Sequence, residues 1–196
     1  MGFERDRHVE YDQTSRKIKR IPPAIDSVKL RRLAEDYVQK FGGPSSNVRR
    51  MLQRYIERSV HDHASDREQL QTIADQIVAH LLEALAVNDA RYAELRAQTL
   101  SERGQSQRLI AMKLRQKGLS SADVNNALAE LGPDRAIVDL NAARALVKRR
   151  RLGALRPQAE RADKRQRDLA ALMRGGFAYD IAKRALDRPT DDDSTD

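Results

Sequence analysis

The chain has 196 residues, of which 40% are hydrophobic, 34% charged and only 4% aromatic, with no Trp. A deep core built on large rings, each of which buries a large apolar area, is excluded in favour of thin helical layers that hide narrow stripes. The absence of Cys excludes disulfides, thiolate metal sites and a Cys nucleophile. No apolar run approaches the roughly 20 residues of a bilayer span, and the first twenty residues lack the apolar stretch of a secretory signal. These features fit a cytoplasmic protein with no membrane association. The net charge of +8 is concentrated: residues 133–188 carry fifteen Lys or Arg against seven Asp or Glu, and 189–196 carry four Asp. Such a field favours a polyanion, or a protein already bound to one, over other partners; solubility is the plainer alternative.

In chain order, residues 1–26 read as a flexible leader of mixed charge ending at Pro22-Pro23. Ser27 can cap a first helix whose stripe is Leu30, Leu33, Ala34, Tyr37, Val38 and Phe41, stopped by Gly42-Gly43-Pro44. Ser45 or Ser46 can cap a second, with Val48, Met51, Leu52, Tyr55 and Ile56 on one face. After a polar link, a third helix carries Leu70, Ile73, Ala74, Ile77, Val78, Leu81, Leu82 and Leu85. Asp89 can cap a fourth helix through Tyr92, Leu95, Ala97 and Leu100. Ser106 caps a fifth with Leu109, Ile110, Met112 and Leu114, and Ser120 or Ser121 a sixth with Val124, Ala127, Leu128 and Leu131. Beyond Gly132-Pro133, a seventh holds Ile137, Leu140, Ala143 and Leu146. An eighth holds Leu169, Leu172 and Met173, and a short ninth holds Ile181, Ala182, Ala185 and Leu186.

The pattern predicts an all-α protein in which nine helices fall into three groups. A shift of 58 residues lays Leu114 on Leu172, Gly118 on Gly176, Leu119 on Phe177, Ala127 on Ala185 and Leu128 on Leu186. The shared content is a helix ending at a left-handed Gly, an apolar residue tucked beneath that end, and a new amphipathic helix. Tandem units of this kind stack into an elongated array with a curved surface; chance similarity between helix pairs of one bundle is the alternative. The expected units are 27–88, 89–132 and a basic third unit, 133–188, followed by an acidic, disordered tail over 189–196.

Three stretches also carry a family resemblance. Asn88-Asp89-Ala90-Arg91-Tyr92-Ala93, then Arg103-Gly104-Gln105-Ser106, then Lys117-Gly118-Leu119 resemble the centre of RecX proteins, although Asn88 stands where an acidic residue is usual. Tyr37 to Arg50 is similar to that family's first repeat, and Arg167-Asp168-Leu169 with Gly175-Gly176-Phe177-Ala178-Tyr179-Asp180 to its last. The resemblance spans 27–188. It implies three tandem three-helix repeats and a non-enzymatic regulator, without a cofactor, that binds the RecA filament on single-stranded DNA. It further implies suppression of strand exchange and ATP hydrolysis, a role in homologous recombination and DNA repair.

The residues themselves offer little catalytic chemistry. His61-x-His63 lacks a third ligand and reads as an exposed link, and His80 as a surface residue. No Gly-rich loop precedes Lys-Ser/Thr, and no Ser sits in a nucleophile elbow. The strongest feature is basic. Lys148, Arg149, Arg150 and Arg151 fan around a helix; Arg165, Arg167 and Arg174 follow on the next, and Arg103, Arg108, Lys113 and Lys117 lie on the central group. These eleven are the candidate contacts to the filament or to DNA phosphate, against a purely solvated face. Tyr92, Phe177 and Tyr179 are the only aromatics of the basic two-thirds, which leaves a base-stacking platform for single-stranded nucleic acid unsupported by the sequence. Any DNA contact is therefore expected to be weak, phosphate-driven and nonspecific. The protein is expected to act as a monomer.

Overall fold

The computed structural model describes residues 22–188. Among these residues there are nine α-helices and no strand. They are α1 (Ser27–Phe41), α2 (Ser45–His63), α3 (Arg67–Glu83), α4 (Asp89–Glu102), α5 (Gln107–Gln116), α6 (Ser121–Ala129), α7 (Arg135–Arg150), α8 (Gln158–Arg174) and α9 (Tyr179–Asp187). A single 3-10 turn, Gly153–Leu155, joins α7 to α8. Residues 189–196 and most of the expected leader lie outside the described residues.

Local chemistry accounts for most helix starts, with three corrections to the caps read from the sequence. Asp26, one residue before Ser27, accepts the Lys29 N–H at 2.8 Å. Asn88 caps α4 by accepting the Arg91 N–H at 2.8 Å, so Asp89 is the first helical residue. Neither Ser45 nor Ser46 caps α2, which starts after Pro44 without a side-chain cap. Asp66, Ser106, Ser120 and Asp134 cap α3, α5, α6 and α7 through their side-chain oxygens, satisfying N–H groups that no helical carbonyl can reach.

The helices bury three separate cores. Leu30, Val48, Leu52, Ile56 and Val78 anchor the α1–α3 core. Ala93, Ala97, Ile110, Leu114 and Val124 anchor that of α4–α6. Leu146, Val147, Leu172, Ala182, Ala185 and Leu186 anchor that of α7–α9. Small side chains lie where α4 packs on α6 and α7 on α9. Close helix approach thus replaces the large rings that the composition lacks. Several stripe residues are nevertheless left in water: Phe41 is 65% exposed, Leu85 75% and Ile137 56%, with Leu95, Met112 and Met173 about half exposed.

The 58-residue shift holds at the level of hydrogen bonds. After α5, the Leu119 N–H donates to the Leu114 carbonyl and the Gly118 N–H to that of Arg115. After α8, the Phe177 N–H donates to Leu172 and the Gly176 N–H to Met173. Gly118 and Gly176 take φ of +81° and +89°, and Leu119 and Phe177 are buried beneath the turns. Both are Gly-terminated helix ends that return two orphan carbonyls to donors.

Each of these turns receives the preceding unit. Ser46 donates its hydroxyl to the Lys117 carbonyl, and a Cβ on Gly118 would lie 2.8 Å from that of Ser46. The Ser45 N–H and hydroxyl both donate to Asp89, at 2.7 and 2.6 Å. At the next seam the Ser106 N–H donates to the Gly175 carbonyl at 3.1 Å, the Gln107 N–H to Asp139 at 2.8 Å, and a Cβ on Gly176 would collide with the Ser106 hydroxyl. Thus a carboxylate from the first helix of each following unit reaches back to the second helix of the unit before it. Asp89 therefore serves a neighbouring unit instead of its own helix.

Candidate partner interface

At the seam between the second and third units, polar bonds set a cleft. The Ser106 and Gln107 backbone bonds, with Gln107 Nε2 donating to the Arg135 carbonyl at 3.3 Å, pin the start of α5 to the third unit. Arg108, the second residue of α5, then projects beside Arg135 of α7, Met173 of α8 and Tyr179 of α9 around a cavity of about 570 Å³. Arg108 and Arg135 make no ion pair with another described residue. Met173 and Tyr179 are 48% and 59% exposed. Asp139 also lines the cavity but accepts the Gln107 N–H; two guanidiniums beside apolar and aromatic surface suit an acidic or phosphate-bearing partner that also buries a nonpolar contact.

The remaining expected contacts are distributed and do not converge here. Lys117 lies at the opposite end of α5, where its carbonyl belongs to the first seam. α5 thus connects both seams, with roughly 14 Å of helix between Arg108 and Lys117. Arg103 is exposed at the end of α4, and Lys113 is half-buried on α5. Lys148, Arg149 and Arg150 occupy the last turn of α7 and are exposed, where cations also complement the carbonyl end of the helix. Arg149 sits about 20 Å along α7 from Arg135. Arg151 closes α7 with φ +51°, a left-handed conformation that non-Gly residues seldom adopt. Arg167 and Arg174 are exposed on α8.

Arg165 is engaged within the fold: its guanidinium holds Asp187 through bonds of 2.8 and 3.4 Å. That bonding raises the Arg165 pKa further above its ordinary value. A second cavity, of about 360 Å³, lies nearby and brings Lys183, Arg184 and Arg188 of the α9 end to Arg144 of α7, with Asp180 and Asp187 also in its lining. Neither this group nor Arg135 was singled out in the sequence. In α9, Lys183 and Arg184 are the polar face of a strongly amphipathic helix, and nothing local to that helix reveals that α7 brings a further arginine to them.

Asp168 is the other residue that sequence alone left without a role. Only 1% exposed, it receives Arg156 through bonds of 2.7 and 2.8 Å and the Gly153 N–H at 2.9 Å. Burial pushes the carboxyl upward, but the Arg156 guanidinium and the Gly153 N–H outweigh it and hold it below its ordinary value of 3.8. This pair fixes the 3-10 turn to α8 and is structural. His61 and His63 lie in the last turn of α2 and not in a link: His61 meets Asp62, and His63 Nε2 lies 2.7 Å from the Pro22 carbonyl. Among the described residues no group of three metal-ligating side chains occurs, and no helix is long and apolar enough to cross a membrane.

Known proteins match this chain in both sequence and fold. Residues 88–128, which span the α4–α6 unit, match the family described as RecX, second three-helix domain. Regulatory protein RecX of Myxococcus xanthus is 34% identical over 167 residues, covering 85% of this chain and 88% of the relative. Regulatory protein RecX of Halorhodospira halophila is 32% identical over 161 residues, covering 78% of this chain and 94% of the relative. A crystal structure of regulatory protein RecX superposes with a TM-score of 0.55 at 20% identity, covering 83% of this chain and 74% of that one, a likeness of fold. The three-helix units, their seams and these similarities have one explanation: the chain belongs to the RecX family of regulatory proteins.

Proposed function

We propose that this chain is a non-enzymatic cytoplasmic regulator that lies along the RecA filament on single-stranded DNA and inhibits its recombinase and ATPase activities. The units 27–88, 89–132 and 133–188 would act as repeats of one elongated, monomeric array, with the second and third supplying the principal contacts. The observation that carries this reading is the seam cleft, where Arg108 and Arg135 stand beside exposed Met173 and Tyr179. It is suited to grip an acidic protein surface and to exclude water around an apolar contact, which is how interfaces concentrate their energy. The exposed Lys148–Arg151 run would add longer-range attraction to the polyanionic filament, accelerating encounter more than tightening the final complex.

The test is DNA-dependent ATP hydrolysis by the cognate recombinase with the protein titrated at substoichiometric amounts. Strong inhibition that excess single-stranded DNA does not relieve is the expected result. The double variant Arg108→Glu/Arg135→Glu should lose at least ten-fold in inhibitory potency, since it places two repelling charges in the cleft. An effect abolished by excess DNA would favour the second reading, a helical nucleic-acid-binding module that competes for DNA. Unpaired exposed cations such as Lys148, Arg149 and Arg150 support that alternative. It predicts a steep salt dependence without any recombinase.

A further inference from the structure

The first unit holds three aromatic residues on two neighbouring helices, as many as the whole of residues 89–188. Tyr37 and Phe41 stand one turn apart on α1, with ring centroids 5.1 Å apart and planes tilted by 44°. Tyr55 of α2 faces the same cleft, of about 410 Å³, whose floor is buried Met51. Arg54 and Arg58, one turn apart on α2, form the rim. Both are exposed and make no ion pair with another described residue. Lys40 places its ammonium 5.2 Å from the centre of the Phe41 ring. No carboxylate lines the cleft.

Phe41 matters most. It continues the apolar stripe of α1, yet the fold leaves it 65% exposed while the other stripe residues pack against the core. A ring held in water beside two further aromatics and ringed only by cations has the chemistry of a surface that receives a flat, electron-rich ring attached to negative charge. An unpaired nucleobase is such a group: its face stacks on an aromatic side chain, and its flanking phosphates meet arginines. We propose that this cleft of the first unit is a stacking site for an unpaired base of single-stranded nucleic acid. Acidic side chains alone would satisfy the cations but leave the exposed Phe41 ring uncovered. This inference goes beyond the regulatory reading and does not depend on a recombinase.

The test uses the full chain and two labelled oligonucleotides of equal length and charge, an oligothymidylate and an abasic strand, with binding followed by fluorescence anisotropy. The full chain should prefer the oligothymidylate by about ten-fold, the effect of one stacked base. Phe41→Ala should bring that preference close to unity with the circular dichroism unchanged, because the ring contributes little to the core. Phe41→Trp should retain it. Arg54→Gln/Arg58→Gln should weaken binding to both strands and reduce the salt slope by about 1.4, as expected for two phosphate contacts on a single strand. Arg149→Gln/Arg150→Gln should leave the base preference intact even if total affinity falls. Equal affinity of the unmodified chain for both strands would overturn the proposal. A preference that survives Phe41→Ala would overturn it too, placing the base elsewhere.

Discussion

At the scale of single residues, the third unit depends on one buried ion pair. Asp168 is desolvated, and the loss of hydration is compensated only because Arg156 and the Gly153 N–H supply three bonds in good geometry. Asp168→Asn removes the charge but leaves Arg156 seeking a partner. It is expected to lower stability by about 3 kcal/mol, measured by urea unfolding at neutral pH; a loss under 1 kcal/mol would show that the pair is dispensable. The depressed pKa fixes the acid response. The stabilisation is full well above the ordinary value of 3.8 and is lost as pH falls through the lower folded-state value. Unfolding of Asp168→Asn should therefore respond less to acid below about pH 4 than unfolding of the unmodified chain. Arg151 is the opposite case. Its φ of +51° is strained for a side chain with a Cβ, so Arg151→Gly should stabilise the protein by roughly 0.5–1 kcal/mol while removing a charge. If the variant is stabilised yet regulates less well, the arginine is kept for contact at the expense of stability.

At the scale of elements, α5 organises the molecule. Its first residues hold the third unit, and the turn after its last residues receives Ser46 of the first. The seams are polar and tight, made where a Gly turn lets a serine approach. Gly176→Ala combines a left-handed backbone with a collision against Ser106. It should loosen the second seam and leave the separate cores folded. The expected signature is loss of cooperativity, with thermal unfolding of the third unit separating from that of the second; one unshifted transition would contradict this account of the seam. Capping was legible at Ser106 and Ser120, which act on N–H groups three residues away. It was misread at Ser27, where Asp26 one residue earlier is the cap, and at Ser45, Ser46 and Asp89, where the same polar side chains bond across 44 or 71 residues of sequence. Nothing in the local sequence distinguishes a cap from a seam.

At the scale of the whole molecule, the sequence by itself determined the all-helical class and the recurrent Gly-turn. Both rest on short-range physics: the 3.6-residue spacing of apolar side chains, and the left-handed conformation that Gly adopts cheaply. Leu114 and Leu172 are equally buried, and Gly118 and Gly176 make equivalent backbone bonds, because the same local chain reversal recurs. The lean aromatic content likewise foretold shallow cores, and Ala93, Ala97, Ala182 and Ala185 fill them. Tertiary structure alone decided which charges meet. It brought Arg135 to Arg108 and tied Arg165 to Asp187. It also decided that Phe41 should face water with Tyr37 and Tyr55 alongside Arg54 and Arg58. A stripe on one helix shows which residues are apolar, but burial depends on where the neighbouring helix ends. An exposed cation carries no local mark of its eventual neighbours, because charges are tolerated almost anywhere on a solvated surface and are assembled only by the packing of distant segments.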